Sequence, residues 1–518
     1  MQTAKPDKTC LRWLFGLAVF RLALPYILQD SYYQPHRDEF LYLDYARHLD
    51  WGYMEVPPLL SLFSWLTRLL GNTHFWVKFW PALFGAGTFF LCGHLVLKLG
   101  GRLHALFLLW ISFVFGAFIR VFFLFQPGFL EVFSWTAIFY CLTSFFLTNQ
   151  KKWLYAFGIF CGIGMMCKYT TAFLVCGIIA GLLFTPARKT LAMKDIYLSA
   201  FLGFLIFLPN LWWQYSHNFP VVHHMQELRE TQLVYIGAAD FLAGQLFMNL
   251  VCAFIWITGL IATLFLNNWK PVRYIGFTFL ATLALFMAGS AKDYYALGLY
   301  PILLVIGSVQ IGKYFSGKPL WLQSATVLLP ILMGLFILPL GLPMFKPEKL
   351  AAYYEKNGFT KTFGFKWEDQ QNHPLPQDFA DMMGWREIAQ MAARNFKKLP
   401  DSFQKETMLY CRGYYTAGAL NFYGKEWGLP EAFSDHGSYL LWMPDSIHFK
   451  HLMLIGHQNP PPDDTVFNYF EKRSVMDSLQ MPLFRENGIR VFFFENGSDS
   501  MRYYATEGIR MERAKFSK

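Results

Sequence analysis

The chain has 518 residues, of which 54% are hydrophobic, 19% aromatic and only 15% charged. A soluble domain usually carries about 25% charged residues, so a wholly soluble protein is excluded. The formal net charge of +10 invites a nucleic-acid reading, but no basic run or interleaved basic patch occurs, and no nucleic-acid partner is expected.

The charge is unevenly placed. Residues 1–340 hold 23 Lys and Arg against 13 Asp and Glu, whereas residues 341–518 hold 22 of each. The excess therefore belongs to the charge-poor, apolar part. The eight cysteines lie mostly in apolar runs, and only Cys411 falls in the tail. That excludes a disulfide scaffold, and no CxxC pair suggests structural zinc.

Apolar runs suited to crossing a bilayer, about 20 residues each, lie near 11–28, 76–97, 104–125, 130–149, 153–167, 170–185, 196–213, 241–266, 274–290, 294–311 and 320–340. About eleven spans are expected. The basic N-terminus with Lys5, Lys8 and Arg12 leads into an uncleaved first span, because Pro25-Tyr26 and the acidic stretch beyond make a poor cleavage site. With that end cytoplasmic, Lys and Arg gather at the cytoplasmic ends from Lys5 to Lys318, opposed there only by Asp7 and Asp195. This is the positive-inside pattern. The same topology puts the C-terminal part outside the cytoplasm.

Between the first two spans, residues 29–75 form no ordinary connector. Tyr42, Tyr45, Ala46 and Leu49 share one helical face, and Leu59, Leu62, Phe63, Leu66 and Leu70 form another. Both segments are too short to span and suit interfacial helices. From Gly341 the composition changes, with Pro339, Pro343 and Pro347 marking the boundary. The tail alternates helical patterns (379–398, 416–427, 466–473) with strand-like runs (408–411, 439–442, 451–455, 489–494). The expected fold is an α-helical polytopic membrane domain over residues 1–340, followed by a soluble α/β domain over residues 341–518.

The densest chemical signal is Arg37-Asp38-Glu39, followed by Asp44, Asp50, Glu55 and Pro57-Pro58. Acids at a helix start are favourable for the helix itself. At a membrane surface they can also take a proton from a hydroxyl or hold a cation beside a lipid phosphate. Lys168 and Lys292 sit at the outer ends of spans, where snorkelling to the interface competes with a phosphate-binding role. Arg21 and Arg120 lie inside spans and should face the bundle or a carboxylate.

The segment from Asp38 to Arg47, with Gly52 to Leu59, resembles the first outer loop of the membrane-embedded GT-C glycosyltransferases. The similarity is to the bacterial branch that includes lipid A aminoarabinose transferase and the protein mannosyltransferases. It extends to Phe125-Gln126-Pro127, Lys168-Tyr169-Thr170, Pro209 to Gln214, and Lys292 to Tyr295 before Tyr300-Pro301. In the tail, Ala417 to Gly424 with Gly428-Leu429-Pro430 looks like the outer domain of bacterial members.

The resemblance implies transfer of a sugar from a polyprenyl-phosphate donor to a hydroxyl of a lipid, glycan or protein acceptor, with no nucleotide cofactor. It implies a multi-pass protein of the bacterial inner membrane, in contact with membrane lipids, with its C-terminal domain periplasmic. Asp38 becomes the general base and Glu39 a supporting acid. Lys168, Lys292, Arg120, Tyr294 and Tyr295 would meet the donor phosphate, and Glu131, Gln126 and Trp213 the substrates. Glu55, His223 and His224 would hold a divalent metal, although Val56 stands where that branch has a basic residue. Two rival readings are a polyprenyl-lipid or sugar transporter and a non-catalytic lipid-binding membrane protein. Charged groups gathered on one face, without internal repeats, argue against the transporter.

Overall fold

The computed structural model describes residues 7–231, 233–457 and 465–516; Lys5 of the charge pattern lies outside them. The apolar part is helical throughout. Helix α1 (Lys8–Leu28) is followed by two loop helices, α2 (Arg37–Asp44) and α3 (Leu59–Leu69). Next come α4 (His74–Lys98), α5 (Leu103–Val114), the single turn α6 (Phe118–Val121), α7 (Pro127–Thr148), α8 (Lys152–Cys167) and α9 (Thr171–Leu183). The series ends with α10 (Lys194–Ser216), α11 (Pro220–Thr231), α12 (Ala238–Phe247), α13 (Ala253–Phe265), α14 (Tyr274–Ala288), α15 (Tyr300–Phe315) and α16 (Leu320–Gly341).

Among the described residues, six helices are long and apolar enough to cross a bilayer, or up to eight if each of two bent pairs is one span. Against about eleven expected, the difference lies in apolar helices of 10–17 residues such as α5, α8 and α14, shorter than a simple crossing requires. The chain is a multi-pass membrane protein. Small residues let its helices approach closely. A methyl group on Gly158 of α8 would run into the backbone of Ser199 in α10.

The expected span 104–125 is broken, and the break shapes the site. Helix α5 stops at Val114, and the Ala117 N–H turns to the Met248 carbonyl at 2.8 Å instead of continuing the helix. After α6 the chain runs as a loop to Gln126, until Pro127 starts α7. Proline is tolerated at a first helical position because the N–H it lacks would be unpaired there. The first loop carries two short helices: of the first apolar stripe only Tyr42 lies in α2, Tyr45 and Ala46 falling in a separate helical turn and Leu49 beyond it, whereas α3 holds Leu59, Leu62, Phe63 and Leu66 of the second.

Beyond α16 come α17 (Pro347–Lys356), α18 (Gln377–Ala380), α19 (Trp385–Phe396), α20 (Asp401–Lys405), α21 (Tyr414–Tyr423), α22 (Tyr439–Trp442) and α23 (Asp499–Ala514). They surround a sheet of β1 (Thr407–Cys411), β2 (Ala432–Phe433), β3 (His451–Gly456), β4 (Phe470–Ser478) and β5 (Arg490–Gly497), ordered β2-β1-β3-β5-β4. Strand β1 is parallel to β2 and β3, whereas β5 is antiparallel to β3 and β4. Two local expectations fail. Residues 439–442 are helical because Tyr439 and Leu440 turn into the core. Within 466–473, Phe470 opens β4, where pairing with β5 overrides the helical spacing.

Candidate active site

Helix α2 is fixed at its start by a reciprocal cap. The Asp38 N–H donates to His36 Nδ1 at 3.2 Å, and the His36 N–H donates to Glu39 Oε2 at 2.8 Å. Such a cap satisfies backbone donors that the first helical turn leaves over. It also sets two neighbouring acids to different tasks.

Glu39 points inward and is fully buried. Lys78 Nζ donates to both its oxygens at 2.8 and 2.9 Å, and the Phe125 N–H donates at 2.5 Å. Lys78 is equally enclosed, with Nζ 4.2 Å from the centre of the Phe123 ring. A buried carboxylate persists only with such a complement of donors. Glu39 thereby joins α2 to α4 and to the loop left by the broken span. It supports the site from beneath.

Asp38 keeps a third of its side chain exposed. Tyr414 Oη donates to Oδ1 at 2.6 Å, and Arg37 Nε lies 3.5 Å from the same oxygen. Gln126 Nε2 and His36 Nδ1 are 3.5 and 3.8 Å from Oδ2. Burial works to raise the Asp38 pKa. His36, Arg37, the Tyr414 hydrogen bond and Lys292 outweigh it and hold the carboxyl below the usual range. Lys292 thus reaches Asp38 electrostatically.

A charged cluster from the tail surrounds this centre. Arg485 bridges Asp381 at 3.2 Å and Glu368 at 2.6 Å, and Arg37 lies over the Tyr415 ring at 4.6 Å. His36 Nε2 is 3.7 Å from Asp381. Burial pushes the Asp381 carboxyl up to about 6 despite the opposing charges of Arg37, His36 and Arg485.

Two further acids of the loop, Asp44 and Glu55, hold the tail. Asp44 accepts from Asn421 and Tyr439, each at 2.7 Å, and pairs with Arg47 at 3.1 Å. Glu55 accepts from Tyr45 at 2.9 Å, from the Ser438 N–H at 2.7 Å and from the Ser438 hydroxyl at 2.5 Å.

The expected metal set is not assembled. Both Glu55 oxygens are taken by Tyr45 and Ser438, His223 packs against Phe516, and His223 and His224 lie on the largely exposed helix α11. Among the described residues no three His, Cys, Asp or Glu stand together as metal ligands. With Glu55 so occupied, the residues present do not fit a metal.

Among the expected donor ligands, Lys168 pairs with Glu131 at 2.9 Å, and Thr170 also donates to Glu131. The Lys168 ammonium lies 4.1 Å from the Tyr295 ring centre and 5.4 Å from that of Tyr294. Glu131 is thus a buried counter-ion rather than an open substrate contact. Arg120, which the resemblance would set against the donor phosphate, faces a carboxylate, as a charge within a span should. It donates to the Leu340 carbonyl at 2.6 Å and pairs with Asp378 at 3.0 Å, tying the end of α16 to the tail. Trp213 is buried against Gly52 of the first loop and stacks on His217, so it packs rather than binds. Arg21 is buried and donates to the Phe118 carbonyl at 3.0 Å.

Sequence reasoning missed His36, Lys78 and Tyr414. A lone lysine opening an apolar run and a polar residue just before Arg37-Asp38-Glu39 were readable signals for the first two. Tyr414 has no local signature, because its importance arises from docking across 376 positions.

Comparison with known proteins adds the following. Residues 55–213 match the family model for dolichyl-phosphate-mannose-protein mannosyltransferase. The chain is 26% identical over 200 residues to lipid A galacturonosyltransferase RgtD of Rhizobium johnstonii, a match covering 37% of this chain and 41% of that protein. The chain therefore spans about two fifths of that relative's length. ArnT from Cupriavidus metallidurans, solved bound to undecaprenyl phosphate, shares the fold with a TM-score of 0.61 over 95% of this chain and 99% of that one, at 13% identity. Its apo structure gives 0.57 over 93% and 98%, also at 13% identity. The chain is thus similar in sequence to the dolichyl-phosphate-mannose-protein mannosyltransferase model over residues 55–213 and shares the ArnT fold over almost its whole length.

Proposed function

We propose that the protein is a membrane glycosyltransferase that moves a sugar from a polyprenyl-phosphate donor to a hydroxyl of a lipid, glycan or protein acceptor on the outer face of the membrane. The observation that carries this reading is Asp38, an ionised and partly open carboxylate at the start of an interfacial helix, with Lys292 within electrostatic reach. RgtD, whose name gives a sugar transfer to lipid A, and ArnT, solved with undecaprenyl phosphate, support the same class of donor and acceptor.

In this mechanism the acceptor hydroxyl gives its proton to Asp38 as its oxygen bonds to the anomeric carbon. The bond from that carbon to the phosphate oxygen breaks, and polyprenyl phosphate leaves with the electron pair. Negative charge grows on the departing phosphate, where nearby cations are worth most. Lys292, which acts electrostatically on Asp38, is one such cation. Lys168, paired with Glu131 and held against Tyr295, is another. Gln126 stays beside Asp38 to orient it or the acceptor. The C-terminal segment, docked on the first loop, lies on the periplasmic side with it.

The test supplies the purified full-length protein with a panel of polyprenyl-phosphate sugars and follows sugar transfer or release by mass spectrometry. Turnover of at least one donor that is lost in Asp38→Asn is the expected result. An inactive parent across the panel would contradict the reading.

A further inference from the structure

The closest polar partner of Asp38 comes from the opposite end of the chain. Tyr414 Oη donates to Oδ1 at 2.6 Å, whereas Gln126 and His36 stand 3.5 and 3.8 Å from Oδ2. One oxygen is therefore firmly held and the other only loosely attended.

Tyr414 is also rigidly placed. It opens α21, which packs directly on α2: a methyl group on Gly418 would come within 2.8 Å of Phe40 backbone and side-chain atoms. The Phe40 ring meets Trp385, Phe422 and Tyr423 edge-on, with centroids 5.7, 5.7 and 5.9 Å away. Asn421, two turns along α21 from Tyr414, donates to Asp44 at the far end of α2. The two helices are thus fixed to one another at both ends.

We propose that Tyr414 is a positioning residue for sugar transfer: its hydroxyl fixes Asp38 Oδ1 and leaves Oδ2 to receive the acceptor's proton, so that the C-terminal segment completes the catalytic carboxylate. This rests on the reading of Asp38 as the base. Tyr414 keeps its own proton throughout. A carboxylate that must accept a proton from one direction gains from having its other oxygen immobilised, since misplacement of a catalytic group is costly in rate. The hydrogen bond favours the ionised form of Asp38 and keeps it ready to act.

The test uses the full chain in detergent and reads Asp38 in two ways. The first is carbodiimide labelling of the Asp38 carboxyl against pH, quantified by peptide mass spectrometry, which follows protonation without turnover. The second is the pH profile of kcat on an accepted donor. In Tyr414→Phe the labelling midpoint and the acid limb of kcat both move to higher pH, and the plateau rate falls about tenfold, the equivalent of one charge-assisted hydrogen bond. Tyr415→Phe, which keeps the ring beneath Arg37, leaves the midpoint in place. Installing 3-fluorotyrosine at position 414, a stronger donor of nearly the same shape, moves the midpoint to lower pH and keeps the proposal testable if the phenylalanine variant does not fold. A midpoint unchanged in both Tyr414 variants would overturn the proposal. If the parent transfers no sugar, the glycosyltransferase reading fails, and the labelling alone still decides whether Tyr414 governs Asp38.

Discussion

Lys78 Nζ sits 2.8 and 2.9 Å from the two oxygens of Glu39, and both side chains are sealed from solvent. Removing one member of such a pair leaves an uncompensated buried charge, at a cost of about 3–5 kcal/mol. Glu39→Gln should therefore lower thermal stability and folded yield, as should Lys78→Met. Combining the two removes both charges and should recover much of the loss. Thermal unfolding of the three variants in one detergent checks this. Additive losses in the double variant would show that the pair is not coupled.

The Asp44 cluster predicts a second mechanical effect. Asp44→Ala leaves the Tyr439 hydroxyl and one Asn421 N–H without their acceptor at the junction of the first loop and the tail, while Arg47 keeps Glu431, and should weaken it by about 3 kcal/mol. Limited trypsin digestion is expected to cut the tail of this variant faster than that of the parent. Equal digestion rates would mean that the junction is held elsewhere.

The two lysines should differ. Lys292→Ala is expected to reduce donor turnover more than Lys168→Ala, because Lys292 acts electrostatically on Asp38, whereas Lys168 lies against Glu131. The loss of one cation opposite a developing phosphate charge amounts to roughly 10²–10³ in rate. Turnover series on one donor, with folding checked by size exclusion, separate the two. The reverse order would return Lys168 to the central place.

The membrane class, the interfacial pair of helices and the sheet-bearing tail were legible because apolar periodicity and charge asymmetry act locally and report burial directly. Asp38 stood out as an acid opening an amphipathic stripe, but its role as a base came only from the resemblance. What could not be read was the division of labour among the acids. Asp38, Glu39, Asp44 and Glu55 look alike in the sequence, yet Lys78, Asn421, Tyr439 and Ser438 decide which are structural, and three of those four come from the tail. Arg120 was equally opaque, because Asp378, its partner, is 258 positions away. Glu55 was opaque for the same reason, because residue type carries no information on the Tyr45 and Ser438 donors that already satisfy it.

The pH dependence follows from the lowered pKa of Asp38. A carboxyl whose folded pKa lies below its unfolded value contributes stability that is present above the unfolded pKa, about 3.9, and is lost as pH falls through the folded value. The stability difference between the parent and Asp38→Asn should thus narrow as the medium is acidified below the ordinary carboxylate range. Melting temperatures across pH 3–7 (roughly that range) test the sign. A difference that widens on acidification would mean that burial, not the neighbouring charges, governs Asp38.

The most direct measurement compares Asp38→Asn with the parent on the best donor of the polyprenyl-phosphate panel. A near-isosteric amide keeps the shape of the site but cannot take a proton, so turnover should fall by about 10²–10⁴ while donor binding is retained. Turnover equal to the parent's would contradict the assignment of Asp38 as the base, and with it the placement of the reaction at the first loop.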